Sequence, residues 1–222
     1  MKNKIQIYLI SIIFFFITFE VKSQEEFNFD VKEIEILEKG NLFIGKKKGK
    51  IISNNGIEIN ANQFVYNKKL NLLNARGDVK VYDKINNYYI YSENITYYKN
   101  KELIITEENS KALSVSDNTT INAHRFEYYK NQNLLNAIGD VKLHDKLNEY
   151  IIHSEKIVYD KKKEIIITEE NSKAISIKDN IIITAKKFKY IKNSNFISAK
   201  ENVLIEDRIN KYNLSSDYIE YL

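Results

Sequence analysis

The residues that could do chemistry are scattered through the chain in a way that argues against a catalytic centre. Glu107-Glu108 and Glu169-Glu170 supply paired carboxylates of the kind glycoside cleavage uses, but neighbouring residues on a strand point to opposite faces and cannot converge on one bond. They read as solvated turn residues. His124, His144 and His153 have Asn62, Tyr82 and Tyr91 at the matching positions one copy earlier. No partners at metal-ligand spacing accompany them, so they read as surface histidines, and no metal or cofactor is expected. The basic runs Lys46-Lys47-Lys48-Gly49-Lys50 and Lys161-Lys162-Lys163 could meet phosphate as point charges, with solvated hairpin tips the favoured reading. Nucleophile-elbow, P-loop, zincin and Cys-x-x-Cys motifs are all missing from the sequence.

What must position such residues is a repeat. Ile59-Asn60-Ala61, Asn74-Ala75-Arg76-Gly77-Asp78-Val79 and Thr106 to Ala112 recur 62 residues later as Ile121-Asn122-Ala123, Asn136-Ala137-Ile138-Gly139-Asp140-Val141 and Thr168 to Ala174. A third, partial copy starts at Ile183-Thr184-Ala185, giving copies over 59–120, 121–182 and 183–222. Each copy is itself double, because Ile59-x-Ala61-x-x-Phe64-x-Tyr66 returns as Ile90-x-Ser92-x-x-Ile95-x-Tyr97. The elementary unit is therefore about 31 residues, room for two strands and two turns. A repeat offers the same surface again and again, which favours a scaffold or track over an active site.

Apolar and polar residues alternate with period two through Val79–Asp83, Lys173–Lys178 and Ile57–Ala61, and β-branched and aromatic residues dominate. Polar clusters at Asn67-Lys68-Lys69, Lys99-Asn100-Lys101, Asp160 to Lys163 and Asn193-Ser194-Asn195 punctuate these runs as hairpin turns. Ile59 and Ala61 share one parity and Phe64 and Tyr66 the other, so a bend near 62–63, and again near 124–125 and 186–187, brings both pairs to one side. The expected fold class is all-β, a repetitive antiparallel β-jellyroll.

The first 23 residues read as an export signal: Lys2 and Lys4, a run of roughly 15 apolar residues, then Val21-Lys22-Ser23 before cleavage between Ser23 and Gln24. A retained anchor is the alternative. The remainder, 24–222, is one domain. The formal charge of +4 falls to about +2 without the signal, so no nucleic-acid partner is indicated. There is no cysteine, and stability must come from burial and strand pairing.

The in-phase alternation of Ile-x-Ala-x-x-Phe-x-Tyr with Asn-Ala-x-Gly-Asp-Val-x-Val resembles the OstA-like repeat of the lipopolysaccharide-transport family, LptA and the N-terminal periplasmic domain of LptD, with the LptD-like domain favoured. Gly77-Asp78-Val79 and Gly139-Asp140-Val141 match, whereas Glu201-Asn202-Val203 lacks the glycine. The resemblance implies a twisted, V-shaped jellyroll in the periplasm or at the outer membrane. Its trough shelters acyl chains of lipopolysaccharide, and its edge strands dock to other jellyrolls. It also implies an outer-membrane barrel and its lipoprotein as further partners. Repeats run to the last residue, so a partial sequence and a stand-alone periplasmic member are both open.

Ile59, Ala61, Phe64, Tyr66, Ala75, Val79 and Val81, with Ile121, Ala123, Phe126, Tyr128, Ala137, Val141 and Leu143, and Ile183, Ala185, Phe188 and Tyr190, are the expected interior set. Alternating strands alone favour a closed core. The small residues Ala61, Ala75, Ser92 and Thr106 fit a groove with room to spare, and the resemblance tips the reading to a lipid trough. The rival is a secreted structural or adhesive repeat with a filled core, and the two differ in whether the interior is open.

Overall fold

The computed structural model describes residues 27–221; the signal segment, with Ser23 and Gln24, lies outside them. The chain forms β1 (Phe27–Leu37), β2 (Leu42–Ser53), β3 (Ile57–Ala61), β4 (Gln63–Asn67), β5 (Leu72–Asp83), β6 (Tyr88–Tyr98), β7 (Leu103–Glu107), β8 (Ser110–Ser114) and β9 (Thr119–Ala123). It continues through β10 (Arg125–Tyr129), β11 (Leu134–Asp145), β12 (Tyr150–Asp160), β13 (Ile165–Glu169), β14 (Ser172–Ser176), β15 (Ile181–Ala185), β16 (Lys187–Ile191), β17 (Phe196–Asp207) and β18 (Tyr212–Tyr221). The expected turns fall between strands, several as short 3-10 turns such as Lys99–Lys101 and Lys192–Ser194.

The short strands are halves of long ones. β5 pairs antiparallel with β4 through Gln63↔Arg76 and with β3 through Asn60↔Lys80, so β3 and β4 are one traverse broken at Asn62. β9 and β10 stand in the same relation to β11, and β15 and β16 to β17. The described residues thus form an antiparallel meander, broken at Asn62, His124 and Lys186, the expected places, and also at Glu108-Asn109 and Glu170-Asn171.

Two successive left-handed residues make the bend. Gly77 and Asp78 have φ of 77° and 48°, and Gly139 and Asp140 have 80° and 44°. A side chain on Gly77 would come within 2.6 Å of Asn62 Nδ2, so the traverses cross closely there. The third copy keeps the geometry without glycine, because Glu201 and Asn202 adopt φ of 65° and 56°. Lys186 N–H donates to the Glu201 carbonyl at 2.9 Å, as His124 N–H does to Gly139 at 3.0 Å. Glu108-Asn109 and Glu170-Asn171 repeat it at the half-period. L-residues in this region cost about 1–2 kcal/mol each, and the meander accepts that cost at every fold line.

Bending brings the two ends of the strands together. In β11, Leu135 and Asp145 would lie roughly 33 Å apart on a straight strand. Tyr128, level with Leu135, nevertheless donates its hydroxyl to Asp83 at 2.7 Å, and Tyr190 donates to Asp145 at 3.0 Å. The meander is therefore folded double, its two half-sheets face to face over one core that runs from Phe27 to Ile219. This is a repetitive antiparallel β-jellyroll whose V is shut.

Candidate functional site: an apolar interior and its polar rim

Each of the eighteen expected interior residues is buried, none more than 6% exposed. The parity change at the bend puts Ile59 and Ala61 on the same side as Phe64 and Tyr66, and the repeat carries the column through Phe126 and Phe188. The small residues Ala61, Ala75, Ser92 and Thr106 are buried with them. Thr106 and Thr168 accept the backbone N–H of Phe126 and Phe188 at 2.8 and 2.9 Å, and Ser92 donates to the Glu107 carbonyl at 2.8 Å. Small size here lets the fold line close and satisfies backbone groups that the bend frees.

The long side opposite the fold line is where the two rows of hairpin turns meet. One row supplies acceptors. Asp83 Oδ1 accepts from the N–H groups of Ile85 and Asn86, both at 3.0 Å, shaping its turn and leaving Oδ2 for Tyr128. Asp145 does the same with Leu147 and Asn148, and gives Oδ2 to Tyr190. At the intervening turns Asp117 accepts from the Tyr159 hydroxyl, and Asp179 accepts from Tyr221 at 2.7 Å. Nearer the N-terminus Asn55 donates to Tyr97 at 2.9 Å.

The other row supplies donors, and its pattern is in the sequence: Tyr66-x-Lys68, Tyr97-x-Lys99, Tyr128-x-Lys130, Tyr159-x-Lys161 and Tyr190-x-Lys192, each 31 residues after the last. The expected interior set takes in Tyr66, Tyr128 and Tyr190 and passes over Tyr97, Tyr159 and the lysines two residues on. Lys192, with its side chain 2% exposed, sits 3.0 Å from Asp117 and 3.2 Å from Asp145, and donates to Thr119. Lys161 donates to the Asn86 carbonyl at 2.6 Å, with its ammonium over the Tyr88 ring. Lys130 is buried.

The electrostatics follow from that contact. Burial, reinforced by the facing carboxylates, pushes the hydroxyls of Tyr128, Tyr159 and Tyr190 well above the ordinary tyrosine range, so they stay protonated donors. Burial alone would raise Asp117, but the bonds from Tyr159 and Lys192 outweigh it and hold the carboxyl below its usual value. Burial lowers Lys161, against the pull of Asp117 and Asp83.

Of the two basic runs, 161–163 forms a hairpin turn as expected, whereas 46–50 lies within a strand. Lys46 and Lys47 lie inside β2, where they pair with Glu35 and Glu33 of β1. Lys161 is in a turn but faces the other rim, while Lys162 and Lys163 are exposed. Glu107 and Glu108 are exposed at the fold line, and Glu169 pairs with Lys156 at 2.8 Å. His124 packs against Gly139 at the fold line. Among the described residues no group of three or more His, Cys, Asp or Glu could hold a metal ion, and no helix is long and apolar enough to cross a membrane. Surface pockets of about 590 and 560 Å³ lie at the bend, lined by residues such as Glu170, Asn171 and Lys186, or Asp78, Glu93 and Asn109, away from the polar rim.

No family model matches the chain, and no curated protein sequence does. Among solved structures it is similar to LptH, the LptA-homologous periplasmic component of the lipopolysaccharide transport device from Pseudomonas aeruginosa, at 13% identity over 66% of this chain and 83% of that one. The TM-score is 0.28, too low for this likeness to carry an argument.

Proposed function

We propose that this chain is an exported, non-enzymatic jellyroll of the lipopolysaccharide-transport type, which takes acyl chains between its half-sheets at the periplasmic side of the outer membrane. The observation that carries the reading is the way the apolar column is closed. Its fold line is covalent backbone, and its other side is a ladder of tyrosine, lysine and carboxylate. Burying charges costs several kcal/mol per ion before pairing offsets it, and apolar residues at such a contact are often equally stable or more so. A ladder of this kind gives register and the ability to part. Once it has parted, the column behind it needs no specific chemistry to hold lipid, since each CH2 leaving water gains about 0.8 kcal/mol. The sequence resemblance supplies the ligand, and the LptD-like assignment rests on that resemblance alone. One observation favours the rival, a structural repeat with no ligand: the interior is filled in the closed form.

Photo-crosslinking residues at Phe64, Phe126 and Phe188 separate the two. Transport predicts that lipopolysaccharide is trapped at all three, well above exposed controls at Lys68 and Lys162; Lys130 is buried and does not serve as one. Yields no better than the controls at every position would favour the structural repeat.

Docking to other jellyrolls fits the sheet edges. Among the described residues β1 pairs only with β2, and β18 only with β17. Ile34 and Ile36 on the first, and Tyr212 and Leu214 on the second, are about half exposed at the two ends of the core. Unpaired edges of this kind invite strand addition. An outer-membrane barrel and its lipoprotein are the further partners to which the resemblance points. Ile219 packs into the core, so Leu214→Lys is the cleaner probe: it should weaken a concentration-dependent self-association seen by sedimentation. A strict monomer at high concentration, unchanged by the substitution, would refute the edge.

A further inference from the structure

The two rims differ in chemistry as well as position. The acceptor rim presents carboxylates at Asp83, Asp117, Asp145 and Asp179, together with side-chain amides. The other presents a tyrosine hydroxyl and a lysine on the three rungs of Tyr128, Tyr159 and Tyr190, whereas nearer the N-terminus Lys99 and Tyr97 are held by Glu102 of their own row. A lysine ammonium can only donate, and a tyrosine kept protonated by burial donates too. Along this strip the rungs recur every second traverse, roughly 9–10 Å apart given ordinary strand spacing. When the rims part, Tyr128, Tyr159, Tyr190, Lys161 and Lys192 lose the acceptors that the facing rim gives them, and the loss is greatest where lysine is most enclosed.

Lys192 has its acceptors in the closed form: Asp117 and Asp145, with the Thr119 hydroxyl as a third contact. Lys161 has one backbone carbonyl, that of Asn86. Lys130, placed by the same Tyr-x-Lys repeat, is only 7% exposed. Among the described residues its ammonium has neither a hydrogen bond nor an ion pair. Its stem is enclosed, but its ammonium is not one of the enclosed unpaired polar atoms among the described residues, so it reaches the rim surface with no protein acceptor to displace. The track thus runs from a cation fully paired with two carboxylates, through one held by a carbonyl, to one with no protein acceptor.

We propose that Lys130, Lys161 and Lys192, with the hydroxyls of Tyr128, Tyr159 and Tyr190, form a phosphate-binding track. Its occupants are phosphate groups of the amphiphile whose chains enter between the half-sheets, so the proposal rests on the transport reading. Asp117 and Asp145 stand in for phosphate on Lys192 while the rims are shut. Phosphate suits the strip because lysine binds it as a point charge and the hydroxyls complete its oxygen shell. Two phosphates on one headgroup would span adjacent rungs.

Calorimetric titration of the full exported chain in detergent tests this with three probes: a lipopolysaccharide lipid anchor bearing its phosphates, the same anchor with them removed, and inorganic phosphate. The phosphorylated anchor should bind about tenfold more tightly than the dephosphorylated one, the scale of one charge-assisted contact. Lys130→Met and Lys161→Met should each erase most of that difference while leaving affinity for the dephosphorylated anchor unchanged. Lys130→Met should also fold with a nearly unchanged thermal midpoint, since it removes an ammonium that reaches solvent and makes no hydrogen bond or ion pair among the described residues. Equal binding of the two anchors by the wild type, unaffected by either variant, would overturn the track and leave the transport reading standing. Lysine-dependent binding of inorganic phosphate as tight as that of the lipid would assign the track to the free ion and overturn the lipid occupant. If neither anchor binds and the interior crosslinks also fail, both readings fall together.

Discussion

Replacing Lys192 with methionine should destabilise the fold by about 3–5 kcal/mol, the cost of breaking a buried pair from one side. The ammonium bridges Asp117 and Asp145 at 3.0 and 3.2 Å, and Asp145 has no measurable exposure. Without it two like charges remain close together, and Asp145, fully enclosed, cannot reach water without opening the rims. The triple substitution Lys192→Met, Asp117→Asn, Asp145→Asn should recover part of the loss: it removes both enclosed charges, while the amide at position 145 keeps one acceptor oxygen for its turn N–H groups and can only donate to the Tyr190 oxygen. The dependence on pH should reverse sign. In the wild type Asp117 is held below its unfolded value, so its contribution is present above an unfolded pKa of about 3.9 and fades as pH falls through the folded one. In Lys192→Met the burial that raises Asp117 loses the lysine that offsets it, and stability should rise as pH falls from neutrality. Urea midpoints across that range provide the measurement. A loss below about 1 kcal/mol with the wild-type slope would mean that solvent reaches the ammonium and the rims are already parted.

The bend was legible in the sequence because it changes side-chain parity: Ile59 and Ala61 against Phe64 and Tyr66 can share a face only if the strand breaks between them. The residues that make the bend on the facing traverse, Gly77-Asp78 and Glu201-Asn202, gave no such signal, and a glutamate is a poor residue for a left-handed position. The interior set was legible for the same reason as the strands. Whether that interior is open was not, because a trough and a filled sandwich impose one alternating pattern. The rims were the largest omission. The Tyr-x-Lys spacing stands in plain view, but its partners lie 42–45 residues earlier on the opposite ends of other strands. That pairing depends on how far the sheet folds over, which no local periodicity encodes. Turn lysines are ordinarily solvated, so the burial of Lys130 and Lys192 had no sequence signal beyond their exact recurrence.

Phe126→Ala should cost about 3–5 kcal/mol if the resting molecule is the closed form, the range for removing an enclosed aromatic ring. Phe126 is fully buried, midway along the column, and its N–H is held by Thr106, so its backbone has little freedom to collapse into the space left behind. A rigid cavity of this kind stays dry and takes up apolar ligands. The same variant therefore weighs the two functions. If acyl chains enter the column, lipopolysaccharide raises the unfolding midpoint of both proteins, because a ligand that binds only the folded state stabilises it by mass action. The increment should be larger for Phe126→Ala, where a chain can occupy the emptied volume without displacing a ring. A structural repeat predicts the same loss on substitution and no response to lipid in either protein. A loss well under 1 kcal/mol would contradict the closed core itself, since a ring lining an open groove gives up little packing when it is removed. The combination of a large loss with a lipid-dependent recovery requires a column that is filled at rest and still accessible, and the rim of paired tyrosines, lysines and carboxylates is the one side along which backbone continuity allows it to open.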